Sequence, residues 1–176
     1  MSSVEIREWI KFFVLIIGGC LALRVYIVNQ RQKRLDNSLK LLDIFFDNLE
    51  ENDLSEWKRI FMSSSETSGA KQGHFHSSFN QQIPFDSLFS EGPDDKGAND
   101  RIVQQLDLIA YDALKGTIDT RFIYSRLGQL MNTTYRWFGD GEKSIVAVHY
   151  PHFHLLMKKY NKRFQGWPTK VYSYCE

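Results

Sequence analysis

The chain holds little cysteine and almost no surplus of charge. Two cysteines occur in 176 residues, Cys20 inside an apolar run and Cys175 beside the C-terminus, which excludes a disulfide framework and a cysteine zinc site. Lys and Arg number 22 against 21 Asp and Glu, so no overall field steers the protein towards nucleic acid and local patches matter more than the total. Catalytic signatures are missing as well. "GDGEKS" has Glu142 where a phosphate loop needs glycine before lysine. No nucleophile elbow, H-E-x-x-H motif or calcium loop occurs, and no internal repeat is visible. These absences argue against an enzyme and against any resident cofactor. The length suits one domain with a real core.

What is present starts with "WIKFFVLIIGGCLALRVYIV". Ile10 to Val28 gives 19 positions, about 28 Å of helix at ~1.5 Å per residue, close to the ~30 Å thickness of bilayer hydrocarbon. No charge falls between Phe12 and Leu23. Lys11 and Arg24 sit near the ends, where long basic side chains snorkel to the headgroups. This predicts one transmembrane helix within residues 1–30. A cleaved signal peptide would need an A-x-A-like site, which is absent. "IGGC" loosely resembles a lipoprotein cleavage site, but "LALRVYIV" after it is no polar tether. The remaining rival is a buried helix of a soluble protein, since a 12-residue uncharged centre falls where core helices and spans overlap.

Basic residues set the sidedness. Arg7 and Lys11 precede the centre of the span, whereas Arg24, Arg31, Lys33, Arg34 and Lys40 follow it. The Lys/Arg rule therefore predicts a single pass through the inner (plasma) membrane, with the N-terminus outside and residues 31–176 cytoplasmic. Gly18 and Ala22, widened by Gly19, form a small-x-x-x-small surface through which two spans can approach.

After the span, Leu35, Leu39, Leu42, Phe46 and Leu49 recur at spacings of four and three, predicting an amphipathic helix packed against the rest of the domain. Two heptads are too few to define a coiled coil. Its basic start opposes the helix dipole and suits anionic lipid instead. Asp53 is expected to cap a short helix carrying Leu54, Trp57 and Phe61. Residues 63–98 are rich in Ser, Gly and Gln and predict a long mobile loop. Asn99 or Asp100 is expected to cap a helix with Ile102, Leu106, Ile109 and Ala113 on one face, ended by Gly116. A further helix places Ile123, Leu127, Leu130, Met131, Thr134, Trp137 and Phe138 on one side, and the two read as an antiparallel hairpin. "EKSIVAVH" is a β-branched run with the look of a short strand. Pro151 then opens a last helix with Phe153, Leu156, Met157, Tyr160 and Phe164 towards the core. The fold class is mainly α: a transmembrane helix followed by a small helical bundle with a long Ser/Gly-rich loop.

The span, the basic helix and "QQLDLIAYDALKGTIDTRFIYSRLGQLM" together resemble a loose family of uncharacterised bacterial single-span membrane proteins with a small helical cytoplasmic domain. The matching positions of its L-x-x-I-A-x-x-x-x-x-G-x-I-D pattern are Leu106, Ile109, Ala110, Gly116, Ile118 and Asp119. They are packing and turn residues, so the resemblance implies a fold and transfers no catalytic residue. The Ser-rich insertion departs from it.

Three groups of residues invite chemistry. His74 and His76, with His149, His152 and His154, are the only imidazoles. Two histidines two apart clamp an ion on a strand but point away from each other on a helix, and no carboxylate or cysteine stands at a ligand-like spacing. The expectation is histidines packed among aromatic residues, with no metal. Asp107, beside an apolar stripe, is expected to be exposed or paired with an arginine such as Arg121 or Arg126. Lys158, Lys159, Lys162, Arg163 and Lys170 alternate with aromatic residues, a combination that suits a nucleotide, nucleic acid or anionic membrane, but equally a solvated helix face. The function expected is a membrane-anchored, non-enzymatic module that binds a protein partner or its own copies. Behind it stands an effector that gathers on a nucleotide or other signal, as in antiviral defence, and third an enzyme using the histidines.

Overall fold

In the computed structural model, residues 3–64, 74–76, 82–84, 97–138, 144–164 and 166–167 are described. They are mainly helical, and one long apolar helix stands at the N-terminus. Helix α1 runs unbroken from Ser3–Asp47. It is followed by α2 (Asp53–Ser64), the short strands β1 (His74–His76) and β2 (Gln82–Pro84), α3 (Ala98–Lys115), α4 (Thr120–Phe138), α5 (Ile145–His149) and α6 (Pro151–Phe164). The first part of α1 is long and apolar enough to cross a membrane, and none of that apolar window is buried against the rest of the chain. Lys11 reaches back towards the N-terminus to pair with Glu8 at 2.7 Å, the direction in which helical side chains lean.

The core lies between α3 and α6, which pack on each other more extensively than any other pair of elements. Ile102, Val103, Leu106, Ile109, Ala110 and Ala113 of α3 meet Phe153, Leu156 and Met157 of α6, all buried. Ile123, Tyr124, Leu127, Met131 and Phe138 of α4 close the other side. The side chains of Phe61 and Trp137 lie outside the described residues. The helix–turn–helix α3–α4 expected as a unit is present in sequence order, but α3 finds its main partner in α6. Pro151 and Tyr150 turn the chain back so that α6 lies along α3, and a larger apolar stripe is buried there.

Helix α1 presents a different face from the one its spacing suggests. Leu42 and Phe45 are buried at 7% and 1% exposure, together with Ser38, whereas Leu35, Leu39 and Phe46 remain 38%, 46% and 40% exposed. Two overlapping arcs, offset by about one position, compete for the domain. The arc that includes Ser38 wins because the serine hydroxyl accepts the Asp119 backbone N–H at 2.8 Å and donates to the Arg34 carbonyl at 2.8 Å. A buried hydroxyl with both roles satisfied is cheap to bury.

Local capping corrects three further expectations. Helix α3 begins after Gly97 in the left-handed region, φ 75°, and not at an Asn99 or Asp100 cap. Asp100 instead accepts hydrogen bonds from Gln104 Nε2 at 3.0 Å and from the Tyr150 hydroxyl. Asp53 is the first residue of α2 and turns its carboxylate to the Glu50 N–H and to Arg101. Residues 145–149 form helix α5 and not a strand, because the Ser144 hydroxyl accepts the Ala147 N–H at 3.1 Å and fixes a helical start that outweighs β-branching. Gly116 ends α3 as expected, at φ 72° with the Gly116 and Thr117 N–H groups bonded to the Ala113 and Asp112 carbonyls, the pattern of a Schellman stop. Within the segment expected to be a loop, His74–His76 pairs antiparallel with Gln82–Pro84. The rest of residues 65–96 lies outside the described residues.

Candidate functional site

A cleft of about 510 Å³ opens where α1, the α3–α4 turn and the end of α6 meet. Arg31 and Arg34 of α1 and Arg121 of α4 line it, with Gly116, Ile118, Asp119, Tyr160 and Trp167 among the other walls. The turn is fixed in place by α1. Asn37 Nδ2 donates to the Thr117 carbonyl at 3.1 Å, one residue before Ser38 holds Asp119. Those two bonds carry Arg121 up to the two arginines of α1.

Three guanidinium groups line the cleft, and none of them forms an ion pair among the described residues. The one carboxylate in the lining, Asp119, is occupied by α4, accepting the N–H groups of Arg121 and Phe122 at 3.0 Å each. The opposite wall is aromatic. Tyr160 stacks on Phe164 (centroids 5.6 Å), which stacks in turn on Tyr124 at 4.0 Å, and Trp167 meets Tyr124 and Phe164 edge-on or tilted. The arrangement can hold an anion by bidentate guanidinium hydrogen bonds against an aromatic wall.

The other candidates fall into place individually. His152 Nδ1 lies 3.0 Å from Asp107 Oδ2, while Asp107 Oδ1 accepts the Phe153 N–H at 2.8 Å. Asp107 thus holds the first turn of α6 onto α3, and its partner is a histidine and a helix N-terminus in place of the arginine expected. His152 also meets Tyr111 edge-on at 5.1 Å, and His154 lies 5.8 Å from Tyr135. His149 is exposed. Among the described residues no three His, Cys, Asp or Glu side chains converge as a metal site. His74 and His76 stand opposite Pro84 and Gln82 in the ladder, and their side chains lie outside the described residues.

Lys158, Lys159, Lys162 and Arg163 are exposed on α6, with Lys159 and Arg163 5.5 and 5.8 Å from the Tyr160 ring centroid. Lys170 lies outside the described residues. Lys33 is exposed on α1, as are Lys11 and Arg24. A Cβ at Gly18 or Gly19 would meet nothing within 4 Å, and Ala22 is exposed beside them.

Burial, then the Asp100 carboxylate beside it, push the Tyr150 phenol above its ordinary pKa. Sequence reasoning had named Arg31 and Arg34 only as membrane-flanking charges, and Arg121 only as a possible partner of Asp107. The Asp53–Arg101 pair went unforeseen. Its partners are 48 residues apart, with Arg101 Nη2 2.6 Å from Asp53 Oδ1 and Nε 2.9 Å from Oδ2.

The chain matches no protein-family model, no curated protein and no solved structure.

Proposed function

We propose that the protein is a membrane-anchored, non-enzymatic helical module that associates with its own copies through α1. The observation that carries this is the apolar stripe of Leu35, Leu39 and Phe46, left 38–46% exposed beside the domain. Because α1 is one continuous helix, the stripe extends upwards. Val14, Gly18, Leu21, Val25, Val28, Gln32, Leu35 and Leu39 follow one another at alternating spacings of four and three, the period of a left-handed coiled coil; the next position, Leu42, is buried in the domain, and Phe46 resumes the exposed row beyond it. Between Phe12 and Leu23 no position is charged, so residues 28–46 are the discriminating part. There Gln32 is the one polar member, and a polar residue at such a position fixes register. Two copies inserted in one bilayer are parallel, which brings like positions together.

The basic residues after the span support an inner-membrane protein with a cytoplasmic domain and an external N-terminus. Gly18 and Ala22 then lie on or beside the seam, where small side chains let helices approach. The test is disulfide crosslinking in native membranes in a Cys20→Ser, Cys175→Ser background. Leu39→Cys forms a linked dimer, whereas Ile44→Cys, exposed but on the far side of the helix, does not. Equal yields from the two positions, or none from either, would refute self-association by this face.

The arginine-lined cleft favours a second reading, in which gathering depends on an anionic signal. An enzyme built on the histidines has no converging set of ligands among the described residues to support it.

A further inference from the structure

We infer that the cleft between α1, the α3–α4 turn and α6 is a binding site for a phosphate-bearing ligand of net negative charge, taken up at the membrane surface. Arg31 flanks the α1 seam next to Gln32, but the cleft itself lies against α4 and α6; the inference rests on the membrane placement proposed above and not on self-association.

The charge arrangement is the first support. Arg31 and Arg34 are three apart on α1 and so share a side of the helix, a like-charge spacing that by itself destabilises. Folding adds Arg121 to them from 87 to 90 residues away, and no carboxylate among the described residues neutralises the set. Asp119 lowers the local charge by one; its Oδ1 accepts both N–H groups of α4 and its backbone N–H is held by Ser38, and against three arginines it leaves the lining positive. An anion in the cleft offsets the standing repulsion, and guanidinium groups bind phosphate oxygens in the bidentate geometry that makes such contacts strong.

Position is the second support. Arg31 follows Val28 by three residues, about 4.5 Å along the helix, and Arg34 by about 9 Å. The headgroup layer adds roughly 5–7 Å to each side of the hydrocarbon. Arg31 thus falls within the headgroup layer and Arg34 just beyond it, so the cleft opens at the outer edge of the headgroups, and Tyr160 and Trp167, residue types that favour the membrane–water boundary, also line it. A volume of about 510 Å³ accommodates a phospholipid headgroup or a mononucleotide, and both sources present the same phosphate chemistry.

Native mass spectrometry of the full chain in a neutral maltoside separates the sources. The probes are dioleoylphosphatidylglycerol, zwitterionic dioleoylphosphatidylcholine, ATP and inorganic phosphate. Retention of phosphatidylglycerol over phosphatidylcholine, with no ATP, identifies a lipid headgroup. Retention of ATP or phosphate without lipid identifies a soluble ligand, and retention of both shows that phosphate alone is read. In each case Arg31→Ala, Arg34→Ala and Arg121→Ala weaken binding by about tenfold apiece, while Lys158→Ala/Lys159→Ala/Lys162→Ala, which removes three charges where each of those removes one, leaves it unchanged. All three arginines are exposed, so the single variants fold and can be read separately. The inference is overturned if no anion is retained above phosphatidylcholine, if the arginine variants bind like wild type, or if the lysine variant loses as much. Leu39→Cys crosslinking remains unchanged in the arginine variants if the two surfaces act separately.

Discussion

Arg101 and the cleft arginines are the same side chain put to opposite uses. Arg101, 29% exposed, grips the carboxylate of Asp53, itself 2% exposed, through two hydrogen bonds, and Glu50 approaches at 3.4 Å. Arg31, Arg34 and Arg121 have no such partner among the described residues and face open space. A guanidinium matched by a buried carboxylate ties α2 to α3. One left unmatched in a cleft contributes nothing to the fold by pairing, and that is what makes it available to a ligand.

Breaking the matched pair should have the largest effect. Arg101→Ala leaves a buried, uncompensated carboxylate and is expected to lower stability by about 2–4 kcal/mol, measured by urea denaturation of the detergent-solubilised chain. Asp53→Asn/Arg101→Met should recover much of it, because neither replacement is charged.

Next comes Tyr150. Its phenol has a raised pKa in the folded chain, so the unfolded chain releases the proton first. That contribution is intact below the ordinary tyrosine value of about 10 and is lost as pH rises above it, by up to about 1.4 kcal/mol per pH unit. Tyr150→Phe should flatten this alkaline limb in denaturation curves between pH 9 and 11.

Gly116→Ala changes the floor of the cleft without touching its charge. The added Cβ meets nothing within 4 Å, but φ is +72°, so a loss of about 1 kcal/mol is expected from the backbone alone, with anion binding little changed. The smallest effect belongs to the cleft arginines. Arg31→Ala, Arg34→Ala and Arg121→Ala should each leave stability within about 0.5 kcal/mol of wild type. A large destabilisation would erase the contrast with Arg101.

The parts of this fold that could be read from sequence are those where one periodicity stands alone. The stripes of α3, α4 and α6 meet no rival, and most of their anticipated members are buried, from Ile102 to Phe164; Tyr124 joins them unanticipated, and Tyr160 is only half-buried. In α1 two apolar arcs overlap, and the choice between them rests on Ser38 meeting Asp119, a contact 81 residues long-range. The same holds for the site. Arg31 and Arg34 could be flagged because they adjoin the span, but no local pattern links them to Arg121, or Asp53 to Arg101. Ser144 illustrates a smaller failure: one hydroxyl decided helix against strand for "IVAVH".

The absence of any proline or glycine between Cys20 and Asp47 leaves the anchor and the folded domain on a single stiff shaft. With Leu42, Phe45 and Ser38 seated in the domain, the shaft cannot spin beneath it. If two copies pair through their apolar segments as proposed, a change in how those segments meet would swing both domains through the same angle, turning a small rearrangement in oil into a large reorientation in water.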